Sequence, residues 1–298
     1  MGQGRFVFVV IAAFLAGMLG AYALGALKPA ASDSPIQESV YQRVMRTQTI
    51  RCGYVVDPPH VMKDANTGAM SGAIVDILNE AGKLLALKID WTEEVGWGNT
   101  VEALKSGRID AICTDFWMEP LEGKYVGYTM PLYYAGVGIY VRADDHRFDN
   151  NLAAISDPAI TVSTTDGEMN GVIAQEDFPK AKILSMPNMT DVTQNLINVA
   201  TGKADVTFPD TMMGWRFEQS NPGKLKNLVP DHPVRAFPAT IALPQGDLAL
   251  KTTLDSAFVQ LLYGGFVVKT LEKYHMPADA VYRVARPYDV PGANSPPR

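Results

Sequence analysis

Apolar positions follow two rhythms along the first half of the chain. The run Ile50-Arg51-Cys52-Gly53-Tyr54-Val55-Val56 suits a buried strand, and Asp57-Pro58-Pro59 closes it. Between Gly72 and Leu87, apolar residues at 74, 77, 78, 81, 84 and 85 recur at helical spacing. Leu87 to Trp91 predicts a strand, Thr100 to Lys105 a helix, and Ile109 to Thr114 another buried strand. A short amphipathic stretch, Val40 to Arg46, precedes them. Strand and helix alternating over short links is the pattern of α/β architecture with parallel strands.

One segment occurs twice. Gly107-Arg108-Ile109-Asp110-Ala111-Ile112-Cys113-Thr114-Asp115 matches Gly202-Lys203-Ala204-Asp205-Val206-Thr207-Phe208-Pro209-Asp210 in residue type at almost every position. Each copy follows a helix (Val101 to Lys105; Leu196 to Ala200), turns at glycine, enters a strand and closes on an aspartate. Two readings stay open: a common helix-to-strand turn, or two similar lobes. In open α/β sheets ligands bind beyond the carboxyl ends of the strands. On the second reading, Asp115 and Asp210 therefore face each other across a cleft.

The N-terminus has a different rhythm. After Arg5, Phe6 to Leu27 carries no charge, and Ala21-Tyr22-Ala23 fits a cleavage pattern for a secretory signal. The apolar run is also long enough to span a bilayer. Cleavage is the favoured outcome and an uncleaved anchor the other; both put the rest of the chain outside the cytoplasm. No cysteine lies near the cleavage region, which argues against a lipid anchor.

The remaining composition removes whole classes of function. The chain has 298 residues, 26 Lys+Arg against 32 Asp+Glu, and a net charge of -6, so nucleic acid is not an expected partner. His60, His146, His232 and His275 are widely spaced, with no local zinc-ligand pair. Cys52 and Cys113 fall in expected buried strands, where free thiols are the simpler reading; an oxidising compartment leaves pairing open. There is no Gly-x-Ser-x-Gly elbow and no P-loop.

From about residue 40 to 285 the chain resembles the periplasmic solute-binding proteins of ABC importers, in the family that includes the polar amino-acid binders (family 3). The resemblance rests on five blocks in family order. They are Ile50-Arg51-Cys52-Gly53-Tyr54 with Pro58-Pro59, and Gly72-Ala73-Ile74-Val75-Asp76-Ile77. Leu104-Lys105-Ser106-Gly107-Arg108-Ile109-Asp110 follows, then Leu262-Tyr263-Gly264-Gly265-Phe266 and Leu271-Glu272-Lys273-Tyr274. It implies an α/β fold of two Rossmann-like lobes joined by two hinge crossovers, the type II periplasmic binding architecture. The crossovers are expected near Tyr133 to Gly138 and near Arg235 to Thr240. The expected division is a signal peptide or anchor at 1–27, a linker at 28–39, lobe one at 40–135 and 238–285, and lobe two at 136–237. The proline-rich stretch 286–298 is expected to be a disordered tail.

Implied with the fold are a small-molecule solute, a membrane permease as partner, a periplasmic location and a monomer. Neither cofactor, metal nor catalytic residue is implied. The candidate ligand residues are Asp57, Trp97, Asn99, Thr114, Asp115, Trp117, Glu122, Thr165, Asp166, Glu168 and Asp210. For Asp166 and Glu168, capping of the lobe-two helix is the stronger rival to ligand contact.

The chain departs from the family where a ligand carboxylate would be held. The arginine that holds a ligand carboxylate in the amino-acid binders falls here on Glu122, and the hydroxyl that assists it falls on Asp115. The aspartate that meets the ligand's ammonium group is kept as Asp210. A carboxylate ligand would meet like charge, worth about 4 kcal/mol of repulsion at about 4 Å and an effective dielectric near 20. With no matching cation nearby in sequence, an amine or amidine is expected instead, with cation–π help from Trp97 and Trp117. Two alternatives remain: a dehydratase-like periplasmic enzyme on the same fold, using Glu122 as acid, and a sensory module for a membrane receptor.

Overall fold

The computed structural model describes residues 38–187, 190–278 and 280–284. The expected signal or anchor at 1–27, nearly all of the 28–39 linker and the 286–298 tail lie outside them.

The alternating segments of the sequence become a parallel core. Thr49–Tyr54 pairs in parallel with Lys88–Glu94 on one side and Ala111–Trp117 on the other. Ala73–Leu85, Leu248–Tyr263 and Phe266–Lys273 supply helices that pack with these strands, burying Ile74, Ile77, Leu78, Leu254, Phe258 and Leu271. Each such side chain contributes about 1.5–3 kcal/mol on leaving water. Lys88–Glu94 extends past Trp91, where the apolar expectation ended. It lies at the edge of the sheet, and an edge tolerates Thr92, Glu93 and Glu94.

A second, five-stranded sheet repeats this plan around Thr161–Thr165, which runs parallel to Lys182–Met186 and to Val206–Thr207. Tyr140–Arg142 and Leu225–Asn227 complete it in antiparallel pairing. Its core is separate and holds Ile139, Val141, Phe148, Val162, Ile173 and Phe208.

The repeated segment is one turn used once in each lobe. Ala111–Trp117 belongs to the first sheet and Val206–Thr207 to the second. Gly107 (φ +72°) and Gly202 (φ +75°) make the left-handed turn that glycine adopts without cost. The aspartate three residues later then latches the neighbouring strand. Asp110 Oδ2 accepts from the Arg51 N–H at 2.6 Å, and Asp205 Oδ2 from the Thr161 N–H at 2.9 Å. Both are neutralised by arginine: Asp110 by Arg43 and Arg51, Asp205 by Arg147 at 2.6 Å. Thus the turn reading and the two-lobe reading of the echo are both right.

Two antiparallel strands connect the halves side by side. Tyr133–Val137 pairs with Arg235–Pro244 from Tyr133 opposite Ala239 to Val137 opposite Arg235. The sheet of lobe one thus keeps the chain to Val137 and takes it back at Arg235, so 136 and 237 fall inside these paired strands. At Gly136 a side chain would meet the Tyr282 ring at 2.8 Å and Thr211 Oγ1 at 3.0 Å. Thr211 begins the lobe-two helix Thr211–Ser220, and its hydroxyl donates to the Ala280 carbonyl at 2.5 Å.

Cys52 and Cys113 form a disulfide, with Cα atoms 5.4 Å apart. The free-thiol reading is therefore corrected. Cys52 lies opposite Ala111, so Cys113 is the next residue on the same face of the adjacent strand.

Candidate functional site

Parallel strands bring their carboxyl ends to one rim of each sheet, and these rims carry the acidic residues singled out in the sequence. Beyond Thr49–Tyr54 comes Asp57; Ala111–Trp117 contributes Thr114, Asp115 and Trp117 near its end. In lobe two, Asp166 and Glu168 follow Thr161–Thr165, and Asp210 follows Val206–Thr207.

The innermost group is built around a residue absent from the candidate set. His60 is buried at 4% exposure; its Nδ1 lies 3.0 Å from Asp57 Oδ2 and its Nε2 3.5 Å from Asp115 Oδ2. Burial would depress its pKa, but the fields of Asp57, Asp115 and Asp210 and the bond to Asp57 outweigh it and raise it to about 9. The ring is therefore an imidazolium at neutral pH. No matching cation was expected nearby in sequence, and none is: the fold brings this one from the turn after the first strand. Tyr133, wholly buried, stacks on His60 with ring centres 6.0 Å apart.

Burial pushes Asp115 up to about 6, with the His60 charge opposing and Asp57 assisting. Asp210 is pushed to about 7, again chiefly by burial, against the pull of His60. Asp210 also caps Thr211–Ser220, accepting from the Met212 and Met213 N–H groups at 2.7 and 3.2 Å. Capping and a place beside His60 are thus compatible. The Tyr133 hydroxyl and the Trp117 indole reach toward the Asp115 carboxyl, while Thr114 Oγ1, one residue earlier on the strand, has no hydrogen-bond partner among the described residues. Burial, then the fields of Asp115, Asp57 and Asp210 and the bond to Asp115, raise the Tyr133 pKa well above the usual range.

A second acidic group forms farther along the same chain. Glu119 follows the strand Ala111–Trp117, and Glu122 sits on the short helix Pro120–Gly123. Burial, with Glu119 beside it, raises Glu122 to about 7. Glu168, from lobe two, is raised to about 7 by burial and by the same Glu119. Glu119 therefore acts on carboxylates of both lobes. It is itself raised by burial, and its Oε2 is buried without a partner. The Tyr128 hydroxyl donates to the Glu119 carbonyl at 3.1 Å, fixing the backbone of this group.

The other candidates take distinct places. Trp117 stacks on Phe237 of the second crossover, with centroids 4.9 Å apart, and its indole lies near Asp115. Trp97 begins a 3-10 turn, Trp97–Asn99, and packs with Val55, Val95 and Phe116 of lobe one. Asn99 is exposed ahead of the helix Thr100–Lys105 and makes no side-chain cap. Thr165 is committed inside lobe two, where its hydroxyl accepts from Asn195 Nδ2 at 2.8 Å. Asp166 is exposed and accepts from the Ser185 hydroxyl.

The capping expectation for Asp166 and Glu168 is corrected: the helix Met169–Asp177 has no side-chain cap. Asp166 is taken by Ser185, and Glu168 lies in the field of Glu119. Across the rim, the lobe-two Arg216 guanidinium donates to the Pro58 carbonyl of lobe one. Sequence reasoning missed His60, Tyr133, Glu119 and Arg216 as site residues. His60 had a signal, since it follows directly on the Asp-Pro-Pro turn beyond the first strand. Among the described residues no three His, Cys, Asp or Glu side chains converge as a metal site.

Two α/β lobes, two paired crossovers and polar groups at the facing rims define a type II periplasmic binding fold. The chain belongs to the bacterial extracellular solute-binding proteins, family 3, matching that family over residues 50–277. The solved structures it is similar to include an ancestral amino acid-binding protein described as a precursor of cyclohexadienyl dehydratase. That match has 24% identity, covers 79% of this chain and 99% of that one, and has a TM-score of 0.67. A second structure under the same protein name, an ancestral cationic amino acid solute-binding protein, has 25% identity, the same coverage of 79% and 99%, and a TM-score of 0.61. The cysteine-binding protein of Campylobacter jejuni has 20% identity, covers 81% and 97%, and scores 0.67. No curated protein matches the chain. Among the described residues no helix is long and apolar enough to cross a membrane.

Proposed function

We propose that this chain captures a cationic or amine-bearing solute, of the amino-acid class or close to it, between its lobes and delivers it to an ABC importer permease. The observation that carries this reading is the excess of carboxyl groups over cations at the facing rims. Asp57 and Asp115 flank the imidazolium of His60, which also feels Asp210, and Glu122 and Glu168 both feel Glu119 and have no ion-pair partner among the described residues. The ancestral neighbour described as a cationic amino acid binder agrees with it. Residues 1–27 would act as signal peptide or anchor, placing the monomeric binding protein in the periplasm. Hinge closure about the paired crossovers is the motion that would trap the solute.

A thermal-shift panel tests the reading, because a ligand of the native state raises apparent stability by about 2.7 kcal/mol at a hundredfold excess over its Kd. Lysine, arginine, histidine and simple amines are expected to raise the melting temperature; glutamate and aspartate are not. An acidic amino acid as the best stabiliser would overturn it. Glu122 offers a second check. Glu122→Arg is expected to weaken the cationic solute by tenfold or more, and Glu122→Gln by less, since Gln keeps the shape and removes only the charge. Titration calorimetry decides; unchanged affinity in both variants would remove Glu122 from the site.

A dehydratase-like activity has one observation in its favour. His60, Asp115 and Asp210 titrate between about 6 and 9, the range useful for general acid–base work. Recovery of the stabilising solute unchanged, followed by NMR over hours, supports binding without turnover; a new product supports the enzyme.

A further inference from the structure

The helix Thr211–Ser220 is part of lobe two, yet it is buried from two sides. On one side Met213 and Phe217, a turn apart, pack with Tyr140, Leu196 and Leu225 in a lobe-two core. Gly214 lies beside them, where any side chain would run into the Tyr140 ring, so the backbone itself seats on that lobe. On the other side Met212, Trp215 and Arg216 follow the i, i+3, i+4 spacing of a second face. Met212 is buried in the core of lobe one, and Trp215 packs against the same core. The Arg216 guanidinium donates to the Pro58 carbonyl, in the turn that carries Asp57 and His60. Thr211 starts this face, its hydroxyl 3.1 Å from the Gly136 carbonyl of the first crossover and 2.5 Å from the Ala280 carbonyl.

We propose that Thr211–Ser220 is a clasp that holds the lobes together in the solute-free protein, with Arg216 as the latch that lets go of Pro58 when the lobes part. Every contact of the clasp joins protein to protein, so none waits for a solute. Thr211 sits at the crossovers, where a hinge rotation moves little. Arg216 lies five residues on, about 7.5 Å farther along the helix axis, where the same rotation moves more. The outer pair, Trp215 and Arg216, therefore breaks first, while Thr211 and Met212 act as the pivot. A chain that favours its closed form before binding leaves less of the closure for the solute to drive, and entry waits on release of the latch. The clasp goes beyond the cationic-solute reading and does not depend on it, since none of its contacts involves the solute.

The test is the distance between spin labels on Asn66→Cys and Lys224→Cys, exposed positions in lobe one and lobe two, read by double electron–electron resonance. The native cysteines are bonded to each other and take no label. The protein is first unfolded in urea, dialysed and refolded with its disulfide intact, which strips any solute it carried. The expected result is one short distance for the labelled parent. Adding Arg216→Ala should bring in a second, longer distance and raise the open-to-closed ratio about tenfold or more, the scale for losing a hydrogen bond from a charged group. Trp215→Ala should act in the same direction. Arg216 is exposed, so its loss leaves the cores intact, and its result stands even if Trp215→Ala fails to fold. A parent already mostly at the longer distance, or an Arg216→Ala distribution identical to the parent's, would overturn the clasp. Neither result bears on the thermal-shift panel, so the clasp and the cationic-solute reading fail separately.

Discussion

Removal of the Cys52–Cys113 bridge is expected to lower the unfolding free energy by about 4 kcal/mol, taking closure of a loop of this size as the source. The two residues are 61 apart in sequence, and both are fully buried. Cross-linking them constrains the unfolded chain across Thr49–Tyr54, Ala73–Leu85, Lys88–Glu94 and Ala111–Trp117, the parallel half of lobe one. Reductant added to the native protein should therefore react slowly, because neither sulfur meets solvent until the lobe opens. Urea titrations with and without dithiothreitol measure the difference, and Cys52→Ala with Cys113→Ala supplies the same comparison without reductant. Coincident midpoints would show that the bridge contributes nothing. A loss of this size is a large part of the 5–15 kcal/mol that holds a typical domain together, so the reduced protein is also expected to expose the site strands Thr49–Tyr54 and Ala111–Trp117 to exchange first.

The elements of lobe one were legible wherever periodicity is local. The strand beginning near Ile50, the helix over Ala73–Leu85 and the helix Thr100–Lys105 stand within a residue or two of their apolar patterns. So was the repeat of the glycine turn, because both copies need the same left-handed glycine and the same aspartate latch. Illegible was whatever depends on which strands become neighbours. The pairing of Cys52 with Cys113 follows from the register of Thr49–Tyr54 against Ala111–Trp117, which no local pattern contains. His60 gains its charge from Asp115 on a different strand and Asp210 in the other lobe, so in sequence it reads as an isolated histidine. Glu168 was singled out for its place before a helix, yet its electrostatic partner, Glu119, comes from the opposite rim. The departure at Glu122 was readable because it is a property of one position; the company it keeps was not. The acid expected beside it, Asp115, belongs to the His60 group, whereas Glu119 acts on Glu122.

His60→Leu is expected to destabilise the ligand-free protein by roughly 3–5 kcal/mol near pH 7.5, the range for breaking a buried ion pair from one side. The variant leaves Asp57, Asp115 and Asp210 without their shared cation. Its cost varies with pH in a way that simple loss of packing does not. Near pH 5 the Asp115 and Asp210 carboxyls, raised to about 6 and about 7, carry protons, so little charge is stranded. Above about 9 the wild-type ring has also lost its proton. The difference between the proteins is therefore greatest between about pH 7 and 8.5 and shrinks on either side. Wild-type stability itself should fall across the same span. His60 binds its proton more tightly in the fold than at its free value near 6.5, so its contribution is complete below that value and is lost as pH passes 9. A gap from 6.5 to about 9 is worth about 3 kcal/mol. Asp115 and Asp210 act in the same direction. Their raised values favour the fold while they are protonated, and that advantage goes as pH climbs from about 4 through 6 and 7. Asp145 and Asp205, held below the usual carboxylate range by burial-opposed pairing with Arg147, act oppositely and set the acid limit below about pH 4. Urea midpoints of both proteins at pH 5, 6, 7, 8 and 9.5 give the two curves. A wild-type midpoint that is flat from 5 to 9.5, or a His60→Leu deficit that ignores pH, would mean that the ring is neutral in the fold. A cationic solute bound beside Asp115 competes with the His60 charge for that carboxylate, so its binding at pH 8 should release protons, read as a calorimetric enthalpy that changes with the ionisation heat of the buffer.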